Sequence, residues 1–338
     1  MHRIVSLLPA ATEIAAALGL IDQLVGVSHE CDFPEEVTQR PRITQCPIHN
    51  AGLTSADVDD WVRRALHENG TIYAIDEPLL RTLQPDVILT QRLCDVCAVG
   101  YGTVSKLART LPGPPRVVNL EPTSLADIFE DIRRVAQACD VHERAEKFIG
   151  DLSERVENVR ERATRISDRP RCLLLEWVEP PFCSGHWGPE LVEIAGGHDL
   201  LGRKHQPSAQ IEWQQVLDAH PEIIVLALCG YDIDRARRDY EMPRRFPGFD
   251  SIRAANNHQV YVVNASILRA SRASHCGEPG NSRGDFASDG ISRVRFARPR
   301  RSARGSGELK QISKASCDRN ARLARPCCRS SVIGGSLP

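Results

Sequence analysis

Apolar residues along the chain form two kinds of pattern, and the same order of patterns occurs twice. Continuous apolar runs at Ile4–Leu8 and Cys172–Leu175 are each followed by a segment with helical spacing. Both copies close with a proline and an acid before another apolar run, at 85–89 and at 221–226. Continuous apolar strands that alternate with helices are typical of parallel sheets covered on both faces. The pattern predicts two α/β lobes with a cleft between them, where small ligands commonly bind.

A long helical stretch separates the two copies. Ser124 is a good N-cap with Asp127 three residues later, and apolar residues then recur at helical spacing until a break near Asp140. The spacing resumes to about Ile166, which predicts a helix of about 25 residues, roughly 35–40 Å long. We therefore expect an α/β fold with two lobes, each with a central, mostly parallel sheet, bridged by one long α-helix. The expected boundaries are 1–120 for the first lobe, 121–168 for the helical linker, 169–266 for the second lobe and 267–338 for a tail.

The tail lacks helical or strand periodicity and differs in charge from the rest. The chain of 338 residues has a formal net charge of −1, yet the part from residue 268 holds 13 Arg and 2 Lys against 5 acids. We expect this tail to be unstructured. One interpretation is a basic segment that binds nucleic acid. We prefer out-of-frame translation, because the pattern ends abruptly after a strand that needs a covering helix, and we expect no nucleic-acid partner.

Composition and the start of the chain bear on its location. No secretory pattern precedes the first apolar run, and no apolar stretch has the length of a bilayer span. The 12 Cys do not have the spacing of a disulfide framework. We therefore expect a cytoplasmic monomer without a membrane span.

The first lobe has two candidate ligand segments. The turn from Ser6 through Pro9 puts small residues and a helix N-terminus at the carboxyl end of a strand, where open α/β sheets bind ligands. The loop from His29 to Pro34 then brings together an imidazole, a thiol, two acids and the ring of Phe33. The turn predicts a mouth for a ligand but no chemistry.

Cysteines beside this mouth suggest an alternative. His29 and Cys31 could join Cys94 and Cys97 in a tetrahedral, zinc-type set, because both loops follow strands that end at one edge. A single Cys-x-x-Cys pair is a weak indication of zinc. We favour a reduced, structural cysteine pair that lines the cleft.

Aromatic residues are concentrated in one segment of the second lobe. Only 5% of the chain is aromatic, yet residues 176–187 hold Trp177, Phe182 and Trp187 together with His186. We interpret the segment as a strand-end loop whose rings suit a large, flat, partly apolar ligand. The alternative is a loop folded over its own hydrophobic cluster, which would take at least one of the two tryptophans. Because no nucleophile–base set, phosphate loop or metalloprotease motif occurs, we expect a binding protein and no enzyme.

The chain resembles the cobalamin-binding proteins of ABC importers, within the helical-backbone, class III substrate-binding family that also takes iron–siderophore and haem ligands. The resemblance covers about residues 1–266, and the residues that carry it are 4–14, 25–28 with 32–34, 85–88 and 180–197. It implies two α/β lobes joined by one long helix, with the ligand between them and little hinge closure.

Carried over by position, the resemblance implies that Phe33 stacks on the ligand from one lobe while Trp177 and Phe182 face it from the other. Glu77 and Glu212 lie near the positions at which the family docks arginines of an ABC permease. The expected ligand is cobalamin, another corrinoid or an iron chelate, and His29 or His186 would approach its metal. The full set of candidate ligand contacts is Ser6, Pro9, His29, Phe33, Asp95, Trp177, Phe182, His186 and Trp187. The rival hypothesis is a cytosolic metal- or thiol-binding protein that uses the histidine and cysteine set, with zinc as the candidate metal.

Overall fold

The first lobe folds around a parallel sheet of four strands in the computed structural model. The structure describes residues 1–46, 48, 53–92, 99–231, 235–236, 239, 245–263 and, as backbone, 291–293. The elements of the first lobe, in chain order, are β1 (Ile4–Ser6), α1 (Pro9–Ala17), β2 (Leu24–Val27), β3 (Thr44–Gln45), α2 (Ser55–Asn69), β4 (Ala74–Ile75), α3 (Glu77–Leu83), β5 (Val87–Gln91), α4 (Tyr101–Ala108) and β6 (Arg116–Leu120). The sheet order is β2-β1-β5-β6, and β3 pairs with β4 as a separate antiparallel ribbon.

Two helices connect this lobe to the next. The first, α5 (Leu125–Ala138), begins with the predicted capping box, in which Ser124 and Asp127 exchange hydrogen bonds. A left-handed Asp140 (φ 57°) separates it from α6 (His142–Ala163), whose 22 residues correspond to about 33 Å. The inward face of α6 packs into the first core, and its last turn packs against Gly196 of the second lobe. The predicted two-lobed α/β fold with one long bridging helix is therefore confirmed.

The second lobe has a sheet that is parallel at its centre and antiparallel at its edges. Its elements are β7 (Arg171–Val178), β8 (Pro181–Cys183), β9 (Gly185–His186), α7 (Gly188–Ile194), β10 (His198–Asp199), β11 (Arg203–Lys204), β12 (Ala209–Gln210), α8 (Trp213–Ala219), β13 (Ile223–Leu226), α9 (Arg253–Asn256), β14 (Val260–Val263) and β15 (Ile291–Arg293). The order is β12-β8-β7-β13-β14-β15, with β7, β13 and β14 parallel. In addition, β10 pairs with the start of β7, and β11 pairs with β9.

The duplication seen in the sequence extends to individual hydrogen bonds. In the first lobe the Asp86 carboxylate accepts from Arg3 N at 2.8 Å, and Asp86 N donates to Arg3 O at 2.9 Å. In the second lobe the Glu222 carboxylate accepts from Arg171 N at 3.0 Å, and Glu222 N donates to Arg171 O at 2.8 Å. The acid of each Pro-acid pair thus joins the starts of two neighbouring parallel strands and sets their register.

Both faces of each central sheet are buried, as continuous apolar strands require. Ile4 and Val5 are both fully buried, but Ile4 packs with α1, α5 and α6, whereas Val5 packs on the opposite face with α2 to α4. A separate core fills the second lobe around Leu173, Ile224 and the fully buried Phe249.

One local prediction needs correction. The aromatic segment 176–187 is not one loop: β7 continues to Val178 and turns back through β8 as an antiparallel hairpin. The first helix begins at Pro9, because proline is suited to the first helical position. Helix α4 begins at Tyr101 with Gly100 as its N-cap. Apart from 291–293, the predicted tail lies outside the described residues. No helix in the described ranges is both long and apolar enough to cross a membrane.

Candidate functional site

The turn after β1 is built from buried residues. Ser6 is fully buried, and its Oγ donates to Leu8 O at 3.1 Å. Pro9 is also buried as the first residue of α1. In this structure both predicted ligand contacts shape the turn, and neither side chain is open to the space beyond the strand end.

The loop after β2 presents a half-buried histidine. His29 Nδ1 lies 2.7 Å from Thr44 Oγ1, and its Nε2 lies 4.0 Å from Glu30 Oε1. The ring of Tyr73 backs the imidazole at a centroid distance of 5.6 Å. Burial, together with the nearby Arg42 cation, lowers the pKa of His29. Both influences favour the neutral imidazole, which is the form that can ligate a metal.

The histidine and cysteine set is only partly within the described residues. Cys94 and Cys97, like the predicted ligand contact Asp95, lie outside them. Cys31 is 1% exposed in the first core, and its Sγ lies 3.1 Å from Thr12 Oγ1. The described ranges contain no group of three His, Cys, Asp or Glu residues that could hold a metal ion. The zinc-type set therefore stays a prediction.

Aromatic residues flank the strand ends on both lobes. Phe33 is half-buried in the loop that follows β2. Trp177 and Phe182 are paired directly across the β7–β8 hairpin, so both side chains lie on one face of it. Trp177 also packs against the second core, donates from Nε1 to Glu179 O at 3.1 Å and contacts the Tyr231 ring at 5.0 Å.

The other two predicted contacts in this segment lie where the lobes meet. Trp187 packs against the core of the first lobe, although it belongs to the second. Beside it, at a ring distance of 5.9 Å, His186 has a left-handed backbone (φ 51°) and a buried Nδ1 without a hydrogen-bond partner in the described residues. Burial lowers the pKa of His186. Both tryptophans thus contact a hydrophobic core, Trp177 that of its own lobe and Trp187 that of the other lobe.

Contacts between the lobes occur on two sides. On one side, Leu125 N donates to Glu190 Oε2 at 2.9 Å, and His205 Nδ1 lies 3.3 Å from Thr123 O. Thr123 and Leu125 lie at the start of the helical linker, directly after the carboxyl end of β6. The carboxyl edge of the first sheet therefore faces the second lobe.

On the other side, the contacts come from α2 and the residues just before it. Arg63 Nη2 donates to Gln210 Oε1 at 2.9 Å, Arg235 Nη2 donates to Leu53 O at 3.3 Å, and Ser55 Oγ donates to Asp239. The second-lobe partners Arg235 and Asp239 follow the carboxyl end of β13. The residues that follow β13 therefore contact the first lobe at α2 and just before it.

Tyr231 and Arg235 lie beside the predicted ligand contact Trp177 but are not themselves among the predicted contacts. The Arg235 guanidinium lies 3.9 Å from the centre of the Tyr231 ring and donates to its hydroxyl at 3.0 Å. Burial raises the pKa of Tyr231. Tyr231 thereby connects Trp177 to the first lobe. Their position just after the apolar run 223–226 could have identified both residues, because strand ends line such clefts.

The two predicted docking acids occupy equivalent places. Glu77 begins α3 and Glu212 is the N-cap of α8, and both side chains are exposed. Since α3 leads into β5 and α8 into β13, the N-terminus of each helix lies at the carboxyl edge of its sheet. Both acids are therefore on the side of the molecule where the strand-end loops lie. Glu77 also lines an open groove of the first lobe between α3 and α4, together with Arg81 and Lys106.

The sequence matches the model of a known protein family. The model of the periplasmic binding protein family matches residues 4–266. The chain belongs to this family. Among curated relatives, the vitamin B12-binding protein of Vibrio cholerae is 25% identical over 277 residues, covering 79% of this chain and 82% of the relative. That of Photorhabdus laumondii is 25% identical over 226 residues, covering 67% and 70%.

Solved structures of family members have the same fold. The periplasmic vitamin B12-binding protein of Vibrio cholerae matches with a TM-score of 0.57 and 22% identity over 80% of this chain and 94% of that one. A periplasmic haem-binding protein from Roseiflexus matches with 0.58 and 20%, covering 80% and 94%. A possible iron-binding protein from Staphylococcus epidermidis matches with 0.60 and 18%, covering 80% and 93%. The resemblance found in the sequence is confirmed, and these relatives are substrate-binding proteins rather than enzymes.

Proposed function

We propose that the chain is a substrate-binding protein of the ABC-importer type that holds cobalamin, another corrinoid or a related metal chelate between its lobes. The observation that supports this most strongly is that residues after the carboxyl end of a central strand contact the second lobe in one case and the first lobe in the other: those after β6 and those after β13. His29 follows the carboxyl end of β2, and Trp177 lies near the carboxyl end of β7. Names of the relatives, which include vitamin B12- and haem-binding proteins, support the ligand class.

The chemistry of the two edges suits a planar metal chelate. Trp177 and Phe182 share one face of their hairpin and offer apolar area to a ring system. His29 offers a neutral imidazole from the opposite lobe, and Phe33 follows it in the same loop. A ligand that is flat, largely apolar and built around a metal would use all of these groups.

Calorimetric titration with cyanocobalamin, hydroxocobalamin and haemin tests the proposal. We expect saturable heat with at least one of the three. Trp177→Ala should weaken binding of that ligand by at least about tenfold, since hot-spot aromatics contribute about 2 kcal/mol or more. Trp213→Ala is the matched control, because Trp213 stacks on Phe246 at 4.7 Å outside the β7–β8 hairpin. Absence of heat with all three ligands would remove the proposal.

A permease partner follows from the family, and Glu77 and Glu212 are our candidates for docking it. Reversing their charge, in Glu77→Arg with Glu212→Arg, should abolish uptake that depends on the protein while ligand affinity stays unchanged. Glu154→Arg on the exposed face of α6 is the control. Unchanged uptake by the double variant would exclude these acids as docking residues.

The cytoplasmic location stays a prediction, since the named structural relatives are periplasmic proteins. Fractionation of cells that express the full chain from its own start codon tests it. Elemental analysis of the purified protein tests the rival hypothesis: stoichiometric zinc that is lost in Cys94→Ser would favour a metal-binding protein.

A further inference from the structure

The Thr44 hydroxyl is the centre of the hydrogen bonds around His29. Thr44 is 1% exposed in β3, and its Oγ1 lies 2.9 Å from Ser28 Oγ and 2.7 Å from His29 Nδ1. The same oxygen accepts from His29 N at 3.1 Å. Arg42 holds the loop from outside by donating to Ser28 O at 2.9 Å and to Cys31 O at 2.7 Å. The position of the imidazole is thus set by a rigid, buried hydroxyl.

The Thr44 hydroxyl has a single proton, so the direction of its hydrogen bond with Ser28 determines which tautomer His29 adopts. A threonine hydroxyl has one proton and two acceptor lone pairs. The His29 backbone N–H uses one lone pair, which leaves one donation and one acceptance for Ser28 Oγ and His29 Nδ1. If Thr44 donates to Ser28, then Nδ1 must carry a proton and donate to Thr44. If Ser28 donates to Thr44 instead, Thr44 donates to Nδ1 and the imidazole proton is on Nε2.

Only the first arrangement leaves a lone pair on Nε2. The His29 side chain is 26% exposed, and its Nε2 lies 4.0 Å from Glu30 Oε1, which is beyond hydrogen-bond distance. Histidines that ligate metals are typically oriented by a hydrogen bond from the other ring nitrogen, and loss of that partner costs about 10–100-fold in affinity. In His29 the other ring nitrogen is Nδ1, and its hydrogen-bond partner is the Thr44 hydroxyl.

We propose that Thr44 is a positioning residue that fixes the His29 imidazole so that Nε2 coordinates the metal of the bound chelate. The proposal rests on the proposed function, since it needs a metal chelate in the cleft. In the coordination step the bond from the metal to an exchangeable axial water breaks, and the water leaves. The Nε2 lone pair forms the new bond, the proton on Nδ1 stays and is donated to Thr44, and no electron is transferred to or from the metal.

Absorbance titration with hydroxocobalamin below neutral pH, where its axial position holds water, tests the step. We expect the wild-type protein to shift the cobalamin bands in the way that free imidazole does. Cyanocobalamin, whose axial cyanide is not exchanged, should bind without this shift. Thr44→Val should lose the shift and bind hydroxocobalamin about tenfold or more weakly, with unchanged affinity for cyanocobalamin. Thr44→Ser should restore both the shift and the affinity.

Three further variants keep the result interpretable. His29→Ala should lose the shift entirely, and His67→Ala, on the exposed last turn of α2, should keep it. If Thr44→Val unfolds, Ser28→Ala supplies the test, because without the Ser28 acceptor Thr44 donates to Nδ1 and the shift should be reduced. Cobalamin binding with an unchanged shift in these variants, or with no shift in the wild type, would overturn the positioning role alone. Absence of binding to any cobalamin or to haemin would overturn the proposed function and this role with it.

Discussion

Replacing Asp131 with asparagine should make the stability of the protein less dependent on pH. Asp131 lies on the inward face of α5 with 2% of its side chain exposed. Its Oδ1 accepts from Arg134 at 2.6 Å, while Oδ2 has no hydrogen-bond partner in the described part of the chain. Burial is the largest influence and raises the pKa of Asp131 to about 7, against the attraction of Arg134. The Arg134 side chain is 52% exposed, so water screens that attraction.

The magnitude follows from linkage between protonation and folding. The ordinary pKa of the carboxyl is 3.8 and the native value is about 7. A group whose native pKa is raised contributes its full stability below the unfolded value, and that contribution is lost as the pH rises through the native one. At about 1.4 kcal/mol for each pH unit, ionisation of Asp131 costs the folded state up to about 4 kcal/mol above pH 8. Asp131→Asn removes this cost because the amide does not ionise.

Urea denaturation of both proteins at about pH 4 and about pH 8 measures the effect. The free energies of unfolding should be similar at the lower pH, whereas the variant should be more stable by up to about 4 kcal/mol at the higher pH. Asp127→Asn, one turn earlier, is the matched control. Hydrogen bonds from Thr123 and Ser124 lower the pKa of Asp127, so this variant should lose stability at high pH. A difference between wild type and Asp131→Asn that does not change with pH would refute the reasoning.

Two further predictions concern the frame of the site. Gly185→Ala should lower the free energy of unfolding by about 1–3 kcal/mol and weaken ligand binding, because a Cβ there would overlap the Ser208 backbone and displace β9. Thermal unfolding measures the stability, and calorimetric titration measures the binding. The control is Gly102→Ala in α4, where the space around the Cβ is open, and it should be neutral or stabilising in both measurements. Ser124→Ala should cost about 1 kcal/mol in urea denaturation by removing the cap of α5, whereas Ser153→Ala on the exposed face of α6 should change the stability by less than about 0.5 kcal/mol; equal effects of the two serine variants would contradict the role of the cap.

Local patterns alone were sufficient for the frame of the fold. The apolar runs at 87–89 and 223–226 form central parallel strands, and short continuous apolar runs are typical of strands buried on both faces. Ser124 and Asp127 determine the start of α5 by contacts within four residues, so sequence spacing predicts them well. The two Pro-acid pairs likewise predicted a duplicated unit, and the equivalent hydrogen bonds of Asp86 and Glu222 show that duplication in the structure.

The site depended more on tertiary structure. Trp187 packs on the core of the other lobe, and Tyr231 lies between Trp177 and the first lobe. Both arrangements depend on contacts between residues that are far apart in sequence. The turn after β1 has the small residues typical of a ligand-binding turn, yet the folded turn buries the Ser6 side chain completely. Periodicity reports which face of an element is apolar, but it does not report which element covers that face.

His29 shows the division most clearly. Its place just after the apolar residues 24–27 marked it as a residue at a strand end, because parallel strands end at one edge of their sheet. Thr44 is 15 residues away in a two-residue strand without any pattern, so only the folded chain brings its hydroxyl to Nδ1. Sequence therefore determined which chemical groups are present at the mouth. Packing decided how they are oriented, because orientation comes from distant hydrogen-bond partners that no local pattern encodes.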